Sequence, residues 1–249
     1  MKNYQRIGIT LDEPEDKLHD ELSALVKEFD IEELGATGPS DAKWYLCDIH
    51  LGFVSASTEA ATAVSQAIQW IVNHFKNDEI NSITGGWYEP LSRGILLCLL
   101  SLSFDKLSEI CEWANPNRKL EYEGPLPDEI QWMYLVIASQ FQSDPPPGFD
   151  ELMKKISACR VRQVRLLCKA LTAVIDRDSP GFSVAIQKCV EYQKSRPKPE
   201  PKDFSAEDWL PLHANVIYLT GLKLGLDDPR FSDDIMAYLM TPESVGLSG

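Results

Sequence analysis

The chain has no apolar run long enough to cross a bilayer. Its longest nearly continuous one, residues 95 to 104 (ILLCLLSLSF), falls well short of the ~20 residues that a membrane helix needs. Residues 1 to 16 (MKNYQRIGITLDEPED) lack the apolar centre of a secretory leader, which predicts a cytosolic protein with no membrane association. Six cysteines, Cys47, Cys98, Cys111, Cys159, Cys168 and Cys189, form no C-x-x-C pair and fall mostly in apolar helical patterns. They read as reduced, buried, small hydrophobes rather than as a disulfide framework. Cys47 and His50 have C-x-x-H spacing, but four histidines in all and no second such pair leave a zinc site without its other ligands.

Catalytic signatures are missing as well. There is no G-x-S-x-G, no Walker A loop, no H-E-x-x-H and no glycine-rich dinucleotide loop, and Gly85-Gly86-Trp87 is a turn without the motif that would follow it. The run DDPRFSDD, Asp227 to Asp234, lacks EF-hand spacing, and its acids suit a helix N-terminus. We therefore expect no enzyme, no cofactor and no metal. A buried carboxylate pair brought together by folding is a catalytic arrangement that a linear pattern would hide.

What the sequence does have is acid and helix. The net charge is −14, with ten acids against four bases in residues 1 to 34 and eight against two in residues 203 to 249. Such ends repel nucleic acid and anionic membranes, keep the chain soluble and accelerate encounter with basic partners.

Apolar spacing of three and four recurs along the chain. It predicts an amphipathic helix over Pro14 to Leu34, a helix over Ala42 to Ser55 that could also be a strand, and a long helix capped by Ser57 or Thr58 and running to about Asn77. Leu91 to Leu102 is apolar nearly all round and must be buried. Asp105 to Trp113 extends it or forms a second short helix, and Glu129 to Phe141 is helical after a proline-punctuated loop. SDPPPG, residues 143 to 148, either joins packed helices or divides two lobes. Leu152 to Ile175 then reads as one long helix, and Gly181 to Lys194 as another. SRPKPEPKD is an extended connector. Ser205 to Leu226 is a core helix with Pro211 in its first two turns and Gly225 in a left-handed cap. Phe231 to Met240 is a last short helix. No strand pairs appear, so the expected fold is all-α: nine or ten helices packed as antiparallel pairs in one domain over residues 1–249.

One charge pattern runs against the rest. Lys155, Arg162 and Lys169 recur every seven residues with Arg165 beside them, and no acid occurs between Lys154 and Ile175. This stripe is expected to pair with acidic helix faces or to be solvated.

The closing segment, EDWLPLHANVIYLTGLKLGLDDP followed by IMAYLMTPESV, resembles that of the immunity protein 49 family of bacterial polymorphic toxin systems. The shared pattern is an apolar helix ending in a basic residue and Gly-Leu, a short loop and a terminal helical segment. The earlier run of amphipathic helices, with Trp44 near the front and the alanine-rich Glu59 to Phe75, is similar to that family's layout. The resemblance implies a cytoplasmic antidote that binds and blocks a cognate toxin domain. The partner would be a basic polypeptide met by acids such as Asp12, Glu13, Asp227 and Asp228, with loop aromatics Trp87, Tyr88, Trp113 and Tyr122 as anchors. The competing reading is a helical-repeat scaffold for several protein partners, for which a peptide groove is expected.

Overall fold

The structure is a computed structural model that describes residues 58–79, 87–118, 127–197 and 210–247. The helices expected over 14–34 and 42–55, the Cys47 and His50 pair, and Asp12, Glu13 and Tyr122 lie outside the described residues. Within them the fold is all-α, with nine helices and no strand among the described residues. They are α1 (Thr58–Lys76), α2 (Tyr88–Leu100), α3 (Phe104–Cys111), α4 (Asp128–Ser139), α5 (Phe149–Ser157), α6 (Arg162–Ile175), α7 (Ser179–Lys194), α8 (Leu212–Lys223) and α9 (Asp233–Met236).

The amphipathic pattern of α1 buries Val64, Ile68, Ile71, Val72 and Phe75 against α2 and α3. Helix α2 is buried around nearly its whole circumference, as its apolar run from Ile95 to Leu100 requires, and even Arg93 is buried. It stops at Leu100 because Leu102 turns left-handed, with φ of 57°, so the segment after it is a separate short helix and not an extension. The loop containing the three prolines joins packed helices: α4 and α5 lie against one another across it. Gln142 Nε2 donates to the carbonyls of Cys111 (2.6 Å) and Ala114 (2.8 Å), and the Ser143 amide donates to Glu112 Oε1 at 3.2 Å.

Three sequence expectations are corrected. The long helix over Leu152 to Ile175 is two helices, because Val161 takes an extended conformation with ψ of 125° and turns the chain between α5 and α6. The apolar spacing continues through the break, with Ile156 and Val164 both fully buried, so periodicity alone could not reveal it. Helix α8 begins at Leu212, after Pro211 and not around it; proline disfavours helical backbone in the residue before it, so the helix takes up its register only beyond the ring. The last helix is a single turn, Asp233–Met236, and Leu239 and Met240 reach the core from the segment that follows.

Two members of the basic stripe rest over aromatic rings rather than against acids, while Arg165 and Lys169 are exposed. Lys155 Nζ lies 5.5 Å from the Trp132 ring and the Arg162 guanidinium 5.3 Å from Tyr192. The second contact joins the first residue of α6 to the last turn of α7, so these two helices form an antiparallel hairpin. Helix α8 is the core element, packed on α2, α6 and α7 with Ala214 to Gly221 all buried. Its C-terminus closes as anticipated. Gly225 has φ of +88°, its amide donates to Leu222 O, and the Leu226 amide donates to Gly221 O, the paired bonds of a Schellman cap with Leu226 folded onto the core.

Candidate partner-binding surface

Two exposed acids of the C-terminal region, Asp227 and Asp228, come together with Asp176 and Asp178 at one end of the α6–α7 hairpin. Residues 176–178 form its turn, and the loop after α8 is fastened beside it by two bonds. Arg177 Nη1 donates to Leu224 O at 2.6 Å, and the Asp227 amide donates to Ser179 Oγ at 3.1 Å. Arg177 holds φ of 57°, a left-handed conformation that L side chains rarely adopt. Its guanidinium lies on one of the last carbonyls of α8, where a cation is favoured. Two loops some fifty positions apart in sequence thereby present Asp176, Asp178, Asp227 and Asp228, all exposed, on one end of the molecule.

These aspartates are not equivalent. Asp178 caps α7, its Oδ1 accepting from the Gly181 amide at 3.0 Å. Asp228 Oδ1 accepts from the hydroxyl of Tyr218 at 2.9 Å. Burial, and then this carboxylate, push the Tyr218 phenol well above its usual range, so it stays a donor. Asp176 and Asp227 carry no such structural duty in their side chains. Asp233 and Asp234 stand apart, because Lys194 at the far end of α7 pairs with Asp234 at 2.6 Å. First that lysine and then Ser232 hold the Asp234 carboxyl below its ordinary pKa.

The proposed aromatic anchors fall elsewhere. Trp87 and Tyr88 are core residues, 1% and 5% exposed, which corrects their placement as accessible contacts. Their indole and phenol make a chain of rings that runs from Phe75 through Trp113, Trp87, Tyr88 and Tyr134 to His213, with neighbouring centroids 5.0 to 6.4 Å apart. Trp113 is half-buried and fully engaged. Its Nε1 donates to Asp78 Oδ1 at 2.8 Å, and the Arg118 guanidinium lies 3.8 Å above the ring. Flanking glycines and prolines made these residues look like loop aromatics, whereas Trp87 and Tyr88 open a buried helix.

The buried chemistry is quiet. Tyr134 Oη and His213 Nδ1 lie 2.9 Å apart, and burial lowers the His213 pKa to about 4, so its imidazole is neutral near pH 7. Cys98, Cys111, Cys159, Cys168 and Cys189 are free and buried. Burial drives the Cys98 and Cys189 thiols up to about 12, which suppresses the reactive thiolate. Among the described residues no group of three or more His, Cys, Asp or Glu could hold a metal ion, and no helix is long and apolar enough to cross a membrane.

Comparison of the chain with protein-family models, with curated proteins and with solved structures finds no match.

Proposed function

We propose that this protein is a non-catalytic, cytoplasmic immunity-type inhibitor that neutralises a cognate toxin domain by binding a basic surface on it through the acidic end of the α6–α7 hairpin. The observation that supports this reading best is the fastening of the α8–α9 loop to the hairpin turn, which sets Asp227 and Asp228 beside Asp176 and Asp178. Acids held in two loops that are fastened to one another lose little freedom on binding, and their common sign steers a basic partner into encounter. The net charge of −14 and the likeness of the closing segment to the immunity pattern point the same way. With Trp87 and Tyr88 in the core, affinity at this end rests on charge and on the loop backbone rather than on those rings. The test is co-expression with a candidate basic toxin domain: the wild type protects the cell, and Asp176→Lys with Asp227→Lys weakens protection while leaving Tm nearly unchanged.

The scaffold reading is favoured by a different observation, an open groove along α6 and α7.

A further inference from the structure

The groove between α6 and α7 follows from which residues face each other. Along α6 and its C-cap the stripe Arg165, Lys169, Thr172 and Asp176 advances by three and four; on α7 Gly181, Val184 and Lys188 do the same. Between them the facing residues Ala173, Ala185 and Gly181 are small, so the helices leave a trough of about 690 Å³ open to solvent. Its wall is apolar, and Val184 is 54% exposed there.

The charges along it are segregated. Arg165 lies in the first turn of α6, Lys169 at its middle and Lys188 just past the middle of α7, so the antiparallel hairpin sets three bases along the half of the groove away from the turn. Asp176 and Asp178 stand at the turn itself. Lys155 and Arg162 rest over aromatic rings, whereas Arg165, Lys169 and Lys188 make no ion pair with any described carboxylate. In a chain of net charge −14, three cations without an ion-pair partner among the described residues, set around an exposed apolar floor, make a surface suited to an acidic partner and not to a basic one.

We infer that this groove is a second binding surface, adjoining the acidic end and sharing Asp176 and Asp178 with it, and that it takes an amphipathic helix of a partner protein whose carboxylates face Arg165, Lys169 and Lys188. From Arg165 to Asp176 the groove measures about 16 Å at the helical rise per residue, room for three turns. The bound helix lays its apolar stripe on Val184. Its C-terminus points toward the bases, because the negative end of its dipole then meets cations while its N-terminus meets Asp176 and Asp178.

The test is fluorescence anisotropy of the full chain with a labelled amphipathic peptide of about 20 residues, long enough to hold three helical turns. It is built from leucine, alanine and glutamate, and is compared with a scrambled peptide and with one in which lysine replaces glutamate. The acidic helix is expected to bind and the other two not. R165Q/K169Q/K188Q and, separately, Val184→Asp are each expected to weaken binding at least about tenfold, with circular dichroism unchanged. Equal binding of the three peptides, or binding indifferent to both variants, overturns the inference. A dimer seen by light scattering that Val184→Asp abolishes would assign the groove to a second copy instead. A fall in Tm of the unliganded chain on R165Q/K169Q/K188Q would assign it to the chain's own acidic residues 1–34; either result overturns an outside partner.

Discussion

The hydroxyl of Tyr218, on the buried helix α8, donates to Asp228 in the exposed loop that follows, at 2.9 Å. An acid placed at the surface by its exposure is thus also the acceptor for a phenol in the core. Asp228→Asn keeps an acceptor in place and is expected to lose under about 1 kcal/mol, whereas Asp228→Ala strands the phenol and should lose about 1–3 kcal/mol. Urea denaturation of the two variants checks the order. Equal losses would show that water replaces the carboxylate.

Asn215 fastens the C-terminal segment. Fully buried, it accepts from the Met240 amide at 2.6 Å and donates to Tyr238 O at 3.0 Å. Asn215→Ala leaves both backbone groups without their partner and is expected to destabilise by about 2–4 kcal/mol. Hydrogen exchange should then rise first in residues 237–247, and uniform exchange across all helices would contradict this.

Two glycines of one cap answer to different forces. A Cβ on Gly221 would lie 2.6 Å from Phe182 Cζ, while one on Gly225 would meet nothing within 4 Å. Gly221→Ala therefore overpacks the α7–α8 contact and is expected to lose about 1–3 kcal/mol. Gly225→Ala pays only for its left-handed φ, about 1–2 kcal/mol, and Gly225→Asn recovers part of that. Thermal melts of the three variants test the distinction, which fails if Asn at 225 is no better than Ala.

His213 makes stability depend on pH. Its folded pKa of about 4 lies below the 6.5 of the free side chain, so the unfolded chain binds the extra proton between those values. The stabilisation is complete above pH 6.5 and is lost as pH falls toward 4, by on the order of 3 kcal/mol. Urea midpoints at pH 7 and pH 5 should differ more for the wild type than for His213→Gln. An unchanged difference would assign the slope to carboxylates.

Much of this fold is written in local pattern. The all-round apolar sequence of α2 and the Gly225-Leu226 ending of α8 lead directly to a buried helix and a Schellman cap. The break at Val161 is hidden because Ile156 and Val164 keep helical spacing across it. The acidic end is hidden for another reason: Ser179 and Asp227 are joined by a tertiary bond across 48 positions, and no local spacing encodes it. The same holds for the groove, since the bases of α6 are visible in sequence but Lys188 joins them only when the hairpin closes. Trp87 and Tyr88 mislead because a glycine turn precedes them, while their burial is decided by α2.

The central claim is that the acidic end recognises a basic polypeptide. It is tested most directly by capture from the native lysate with tagged wild type and with Asp176→Lys, Asp227→Lys in parallel, washed from low to high salt and read by mass spectrometry with stoichiometry. One basic polypeptide is expected to be held 1:1 by the wild type, released by salt and depleted on the variant. Retention of that polypeptide unchanged by both the substitutions and the salt, or several substoichiometric partners in its place, would contradict it.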